Sequence, residues 1–109
     1  HCLDCRRVSG APFVTWATYK ARDVTFTSGQ PRRYASSTQA ERAFCPDCGT
    51  QFIWQGKVKP DEIDLTAASF DAPEDFHPQD HIWVERQLPW IKFGDGLPRY
   101  RRYRNEPPI

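Results

Sequence analysis

Four cysteines, arranged as two pairs of equal spacing, carry the strongest chemical signal in this 109-residue chain. The first pair is Cys2-Leu-Asp-Cys5 and the second is Cys45-Pro-Asp-Cys48, which Gly49 follows directly. Two intervening residues allow both sulfur atoms to face one ion while a tight turn closes the backbone. Glycine suits that turn because it accepts a positive φ without a Cβ clash. Thiolates suit zinc and iron, and zinc is the commoner ion, so the spacing predicts zinc.

Other uses of paired cysteines fit this sequence less well. Structural disulfides are typical of secreted proteins, and the chain shows no basic and apolar leader at its start. A redox CxxC motif normally begins a helix within a βαβ unit, and the sequence predicts neither feature around these pairs. Free buried cysteines would not explain two matched spacings.

The residues alone leave two arrangements of the metal ligands open. Both pairs can close one four-thiolate site, although the stretch 6–44 between them is longer than the usual zinc-ribbon interval. Alternatively, each pair belongs to its own site, which residues before His1 complete, since the chain does not begin with methionine. A closed four-thiolate site would be structural, with its binding energy coupled to folding.

The three histidines are candidate nitrogen ligands or proton carriers. His1 adjoins a cysteine, and its position is consistent either with a ligand or with the neighbour of one. His77 and His81 have no nearby cysteine, which favours packing or hydrogen bonding over metal binding for both. Because an imidazole ordinarily titrates near neutral pH, His81 is also a candidate proton-transfer group.

Candidate substrate contacts lie beside the first cysteine pair and toward the end of the chain. Arg6 and Arg7 follow Cys5 directly and would suit a carboxylate, although balancing thiolate charge or facing water is the more ordinary use. Trp83 and Trp90 are candidates for the walls of a pocket, while the tryptophans of a small β domain more often fill the core.

The net charge of +1 conceals a separation of charges along the chain. Residues 60–85 contain no lysine or arginine, which predicts a solvated acidic edge. The eight acids of that stretch are Asp61, Glu62, Asp64, Asp71, Glu74, Asp75, Asp80 and Glu85. Residues 99–104, within a basic tail over 99–109, alternate arginines with tyrosines, a pattern that can grip nucleic acid. The low total charge instead favours a C-terminal strand with packed tyrosines, and it argues against a nucleic-acid partner.

Length and patterning predict a single domain over residues 1–109. Its predicted class is all-β, mainly antiparallel, with at most one or two short helical turns. Segments rich in β-branched and aromatic residues predict strands at 13–19, 24–26, 33–35, 41–44, 51–54, 63–67 and 81–85. Asp71 as an N-cap and Pro73 in the first turn predict one helical segment over 72–76. No apolar run approaches the ~20 residues of a membrane span, and without a leader we expect a cytoplasmic protein.

An ordered set of short motifs resembles the glutathione-dependent formaldehyde-activating enzyme family, which also includes centromere protein V. The matching order extends over nearly the whole chain, from residue 1 to about residue 100, which makes the set specific although each piece is weak. The motifs are His1-Cys2-Leu3-Asp4-Cys5-Arg6-Arg7, Ser9-Gly10-Ala11-Pro12-Phe13, Phe44-Cys45-Pro46-Asp47-Cys48-Gly49-Thr50, Asp61-Glu62-Ile63-Asp64, His81-Ile82-Trp83 and Leu88-Pro89-Trp90. The resemblance implies a β-tent fold, in which small antiparallel sheets surround a zinc site.

The resemblance also implies two zinc ions with different roles. Members of the family carry Cys-His-Cys-x-x-Cys where this chain begins His-Cys-x-x-Cys, and an earlier Cys-x-Cys in an N-terminal strand. By that pattern Cys2 and Cys5 are ligands of a catalytic zinc, and Cys45 and Cys48 are ligands of a structural zinc. One catalytic and two structural ligands are then expected before His1, outside residues 1–109.

The family's chemistry implies a carbon–sulfur lyase, or thiol–aldehyde adduct enzyme, that forms or cleaves S-hydroxymethylglutathione. Three thiolates leave a zinc ion with one open position, which can take water, an aldehyde oxygen or a thiolate. The expected partner is a small thiol or its aldehyde adduct, with glutathione as the candidate thiol. The alternative is a non-catalytic zinc scaffold that binds a small molecule, a protein or a nucleic acid. An open zinc position distinguishes the two, because only the enzyme needs one.

Overall fold

Two units of the chain carry different kinds of secondary structure in the computed structural model, which describes residues 1–109. Residues 15–75 form one unit, which contains all the strands. Residues 1–14 and 76–109 form the other, which contains the one α-helix. The single domain over 1–109 stays a prediction.

The unit of residues 15–75 is a five-stranded antiparallel sheet with the order β1-β5-β4-β3-β2. The strands are β1 (Trp16–Lys20), β2 (Arg32–Ala35), β3 (Ala40–Phe44), β4 (Gln51–Gly56) and β5 (Glu62–Thr66). Strands β2 to β5 follow one another through hairpin connections, as expected for short strands separated by turn residues. The predicted all-β class with mainly antiparallel pairing is confirmed.

A small apolar core holds this sheet together. Ala43, Ile53 and Ile63 are its fully buried members, one from each of the three central strands. Ile53 of β4 lies in register with Ala43 of β3 on one side and with Leu65 of β5 on the other. Strand β4 therefore lies at the centre of the apolar core. Burial of a side chain such as Ile53 contributes about 1.5–3 kcal/mol. A register shift follows Ala43, where β3 approaches the loop that carries the second cysteine pair.

The unit of residues 1–14 and 76–109 contains helix α1 (Leu3–Ser9), with Cys2 at its N-cap. Arg6 and Arg7 in the last turn complement the negative end of the helix dipole. Gly10 ends the helix in the left-handed region at φ 68°, and its N–H donates to the Arg6 carbonyl at 2.7 Å. The remainder is irregular chain with a 3₁₀ turn at Val84–Arg86 and an isolated bridge between His81 and Arg99.

Several local predictions are wrong. Segments 24–26 and 81–85 are not strands, and the C-terminal residues 99–104 do not form one. In 81–85 the reason is Trp83, whose φ of 58° interrupts an extended backbone. The helix expected over 72–76 is only a 3₁₀ turn at Pro73–Asp75, and α1 was missed. The structure has four 3₁₀ turns besides α1, more than the one or two helical turns expected.

No helix in the structure combines the length and the apolar character that crossing a membrane requires.

Candidate metal and substrate site

The first cysteine pair lies at the start of α1, with its two thiols in contact. Cys5 is buried and Cys2 is half-buried. The hydrogen bond from the Cys5 side chain lowers the pKa of the Cys2 thiol to about 5, and the backbone N–H groups of Cys5 and Asp4 add to the effect while burial opposes it. The expectation that neither pair begins a helix is therefore wrong for this pair, although no βαβ unit surrounds it. With this lowered pKa, the Cys2 thiol favours its ionised form at neutral pH.

The second pair lies in the loop of residues 45–50 between β3 and β4. The Cys45 N–H donates to the Thr50 carbonyl at 2.9 Å, and the Gly49 N–H donates to the Cys45 carbonyl at 2.7 Å. The first bond joins the two ends of the loop, and the second closes the turn that contains both cysteines. Gly49 has a φ of 79°, which confirms the positive φ predicted for it. Cys48 is exposed, and its sulfur lies 3.1 Å from the Thr50 hydroxyl, whose hydrogen bond lowers the pKa of the thiol.

Each cysteine pair offers two thiols to an ion. No group of three or more His, Cys, Asp or Glu side chains in the structure is arranged to hold a metal. All four cysteines are free thiols, as ligation requires, and the pKa is lowered at Cys2 and at Cys48. The donor set is therefore chemically suited to zinc, while three or four ligands are needed for a complete zinc site.

A chain of two imidazoles and one carboxylate lies in the same unit as the first cysteine pair. His1 Nε2 is 3.1 Å from His81 Nδ1, and His81 Nε2 is 2.8 Å from Asp95 Oδ2. The Leu97 N–H donates to the other carboxylate oxygen at 3.0 Å and, ahead of His81, lowers the pKa of Asp95. The Phe93 ring packs on His81 with centroids 4.4 Å apart. His81 thus has the partners of a group that handles a proton.

Three of the four predicted substrate contacts line one open depression of about 260 Å³. Arg6, Arg7 and Trp90 line it together with Gly10, Ala11, Pro12 and Leu88. Trp90 is 67% exposed, so its ring is free to cover a ligand. Arg6 Nε is buried and has no hydrogen-bond partner, so its N–H group is an unused donor in a residue that lines this surface.

Trp83 is not part of that depression. Its ring meets Tyr103 edge-on with centroids 5.0 Å apart and lies 6.0 Å from the Arg102 guanidinium carbon. The backbone N–H of Trp83 donates to the Arg102 carbonyl at 3.1 Å. Trp83 therefore anchors the C-terminal segment. His77, the third histidine, is exposed.

Three arginines of the basic tail form ion pairs with two residues of the acidic stretch. Arg101 and Arg102 donate through their Nε atoms to Glu85 at 3.1 and 2.6 Å, and Arg102 foremost lowers the pKa of that carboxyl. Arg104 makes a two-point contact with Asp80. These arginines face solvent as expected, but they are paired with acids, which reduces the charge available to a polyanion.

Sequence reasoning missed Asp95 and Phe93. Both lie in the segment 93–97, where Gly94 and Gly96 flank the aspartate and indicate only a turn. The partner of Asp95 lies 14 residues earlier in the chain, at a separation that no local spacing rule connects.

Comparison with known proteins supplies the family. The family model described as glutathione-dependent formaldehyde-activating enzyme matches residues 1–86, which include both cysteine pairs, both arginines of α1 and His81. The matched region ends before Trp90 and Asp95. A search of curated proteins finds no match. Because the matched region covers most of the 109 residues, the chain belongs to the glutathione-dependent formaldehyde-activating enzyme family.

Proposed function

We propose that this chain is a zinc-dependent carbon–sulfur lyase that forms or cleaves the adduct of formaldehyde with a small thiol such as glutathione. Family membership indicates glutathione-related formaldehyde activation. The observation that carries the finer proposal is the Cys2–Cys5 pair, whose thiols touch at the start of α1, the helix whose Arg6 and Arg7 line a depression. A cytoplasmic location belongs to the same proposal.

Zinc fits the chemistry of both pairs. Cys2 and Cys5 would supply two ligands of a catalytic ion, and Cys45 and Cys48 two ligands of a structural ion, with the remaining ligands outside these pairs. A zinc ion at the first pair would supply a Lewis acid that favours the ionised form of a bound thiol. The half-buried position of Cys2 leaves room for a ligand to approach, and the exposed hairpin loop of Cys48 suits a site that stabilises the fold.

The depression supplies the features that a peptide-like thiol needs. Glutathione carries two carboxylates, and Arg6 and Arg7 are guanidinium donors of the matching geometry. The unpaired Nε of Arg6 would gain a partner when a carboxylate binds. Trp90 offers an exposed ring to the apolar part of the ligand. These three residues would orient the thiol toward the first cysteine pair.

The reaction needs no oxidant and no second substrate beyond the thiol and the aldehyde. In the forward direction the thiol sulfur adds to the carbonyl carbon, so a C–S bond forms and the C=O π bond breaks. The proton lost from the thiol ends on the new hydroxyl group. In the cleavage direction the hydroxyl proton returns to sulfur. Arg6, Arg7 and Trp90 would hold and orient the thiol during either direction.

The test measures exchange between formaldehyde, glutathione and their adduct by NMR, with zinc-loaded protein and with buffer alone. We expect the zinc-loaded chain to accelerate exchange, and Cys5→Ser to lose at least about tenfold of that acceleration, the equivalent of roughly 1.4 kcal/mol of barrier. Ser28→Ala, at an exposed turn residue, is the control and should match the wild type. Exchange no faster than in buffer would refute the enzyme and leave a zinc-scaffold binding module.

The depression is tested separately through the dependence of rate on thiol concentration. Arg7→Gln should raise KM for glutathione about tenfold, since a charged hydrogen bond is worth roughly 1.5–3 kcal/mol. The same variant should leave KM unchanged for a thiol without carboxylates, such as 2-mercaptoethanol. Equal effects on both thiols would show that Arg7 does not bind a carboxylate.

A further inference from the structure

One glutamine side chain joins the turn that presents Trp90 to a later segment of the chain. Gln87 Nε2 donates to the Ile91 carbonyl at 2.8 Å, and Gln87 Oε1 accepts from Arg99 Nη2 at 2.6 Å, both in partly buried surroundings. The partners fix the orientation of the amide, because a guanidinium only donates and a carbonyl only accepts. The Gln87 backbone N–H donates to the Val84 carbonyl at 3.0 Å. We call the contacts among Arg99, Gln87 and Ile91 the Gln87 link.

The Gln87 link closes around a tight turn that begins at Leu88. The Ile91 N–H donates to the Leu88 carbonyl at 3.1 Å, which is the hydrogen bond of a β-turn. Pro89 occupies the second position of this turn, where the φ that its ring imposes is favoured. Trp90 occupies the third position. The backbone on both sides of Trp90 is therefore tied, by the turn itself and by the link around it.

The position of Trp90 depends on this turn more than on packing. Its side chain is 67% exposed, so few contacts other than those of the backbone hold it in place. Leu88, at the start of the same turn, also lines the depression. The turn thus supplies two walls of the depression. A wall that is ordered before a ligand arrives reduces the entropy that is lost on binding.

We infer that Gln87 is a positioning residue which, held by Arg99, fixes the turn of Trp90 and thereby sets the affinity of the depression for the peptide-like part of the thiol substrate. The substrate half of this inference rests on the proposed function, whereas the order of the turn rests only on its hydrogen bonds. Gln87, Ile91 and Arg99 all lie beyond the matched residues 1–86, so the inference depends on the geometry of this chain.

The order of the turn is measured in the zinc-loaded, ¹⁵N-labelled protein without substrate. Gln87→Met keeps an uncharged side chain of similar length and removes both hydrogen bonds of the link. We expect hydrogen exchange at the Ile91 amide to become about fivefold faster, because that amide closes the turn. Gln79→Met, at an exposed glutamine of the same unit, is the matched control and should exchange as the wild type does. An unchanged rate in Gln87→Met would overturn the inference.

The effect on substrate is measured with the formaldehyde exchange assay. Gln87→Met should raise KM for glutathione about fivefold and leave kcat unchanged, because the link contacts the turn and takes no part in the chemical step. KM for 2-mercaptoethanol should stay as in the wild type, since that thiol has no peptide-like part for the Trp90 ring to cover. A fall in kcat at constant KM, or an equal rise in KM for both thiols, would contradict the positioning role.

Arg99 is tested through its dependence on Gln87. Arg99→Met should raise KM for glutathione about threefold, and Arg99→Lys should stay within about twofold of the wild type, because an ammonium group can still donate to Gln87 Oε1. The double variant should be no worse than Gln87→Met alone, since both substitutions remove the same link. Effects that multiply would show that Arg99 acts by another route.

The two halves of the inference can fail separately. If the wild type did not accelerate exchange over buffer, the proposed function and the substrate half would both be wrong. Hydrogen exchange at the Ile91 amide needs no substrate, so it would still decide whether Gln87 orders the turn. Faster Ile91 exchange with an unchanged KM in Gln87→Met would keep the link and remove its role in substrate affinity.

Discussion

The two cysteine pairs have identical spacing and are held by different backbones. Cys2 and Cys5 lie at the first turn of a helix, where Cys5 is buried and the partner thiol is the main group that stabilises the Cys2 thiolate. Cys45 and Cys48 lie in a hairpin loop, where Cys48 is exposed and the Thr50 hydroxyl has that role. The spacing therefore gives both pairs the same two thiols, whereas the scaffold decides solvent access and the neighbouring groups.

The surroundings of the two cysteine pairs also differ, since the second pair joins strands of an apolar core and the first pair shares its unit with charged and hydrogen-bonding groups. The second pair connects β3 and β4, which contribute Ala43 and Ile53 to the apolar core, so an ion there would reinforce the sheet. The first pair shares its unit with buried His1, two arginines and a hydrogen-bonded carboxylate, which suit the handling of a charged or proton-bearing ligand. The proposed roles follow this difference, with stability assigned to the second pair and chemistry to the first.

The largest expected effect separates the pairs by their cysteines. Cys48→Ser should lose its zinc and unfold, because a structural zinc contributes on the order of 10 kcal/mol of coupled binding and folding free energy. That amount is comparable to the whole stability of a small protein, about 5–15 kcal/mol. Cys5→Ser should retain most of the fold while activity falls. Circular dichroism and zinc content per chain measure both variants.

The comparison would break if both variants lost structure and metal to the same extent, since that result favours one shared four-thiolate site. Full zinc content and wild-type thermal stability in Cys48→Ser would instead remove the structural role from the hairpin loop.

The next effect concerns the core beneath the sheet. Ile53→Ala should destabilise the protein by about 2–5 kcal/mol, because a buried isoleucine lost from a packed core leaves a cavity. Val58→Ala, at a residue 85% exposed, should change stability by less than about 0.5 kcal/mol. Urea unfolding of both variants provides the measurement. Similar midpoints for the two would mean that the 15–75 unit does not depend on its apolar core.

A third effect compares the turns that close the two scaffolds. Gly10→Ala and Gly49→Ala should each cost about 1–2 kcal/mol, because both glycines have positive φ values of 68° and 79°. Gly94→Ala, which has neither a positive φ nor a close neighbour, is the matched control. We expect Gly49→Ala to weaken zinc retention and Gly10→Ala to weaken activity, as chelator competition and the exchange assay can measure. Interchanged phenotypes would reverse the assignment of the two pairs.

The smallest effect separates the groups that stabilise each thiolate. In metal-free protein that retains its circular dichroism, Cys5→Ala should raise the pKa of Cys2 from about 5 toward an ordinary thiol, and Thr50→Val should raise the pKa of Cys48. The pH dependence of iodoacetamide alkylation at each cysteine reports the change. Each substitution should leave the other pair unchanged, and a shift at both pairs would contradict their independence.

The sign of the linked stability follows from the same pKa. Because the folded-state pKa of Cys2 lies below the ordinary value of 9.0, its ionised form stabilises the metal-free fold. That contribution is complete above about pH 9 and is lost as the pH falls through about 5. Stability should therefore rise with pH across this window in the wild type and rise less in Cys2→Ser.

Most strands were predictable, because alternating apolar and β-branched residues report the faces of a sheet. The predictions failed where the decisive contact was distant in sequence. Val24 and Phe26 have the composition of a strand but pack on the core cluster outside the sheet. Helix α1 was missed because seven residues are too few to show a helical period, although Gly10 could have marked its end.

The candidate site divides in the same way. The cysteines, Arg6, Arg7 and Trp90 were found from residue type and spacing, and the structure brings the last three to one depression. For Trp83 the sequence left a pocket wall and packing both open, and the structure shows its ring packed on Tyr103, because a tryptophan in a sequence gives no indication of which face it covers. Asp95 had no local signal.

By itself the sequence determined the two matched thiol pairs, the antiparallel class and the turn glycine of the hairpin loop, because these depend on residue type and on contacts within a few positions. Only the tertiary structure decided that the first pair begins a helix, that the tail arginines pair with Asp80 and Glu85, and that His1, His81 and Asp95 meet. The physical reason is that hydrogen bonds and ion pairs depend on distance in space, and a folded chain places together groups that its sequence keeps far apart.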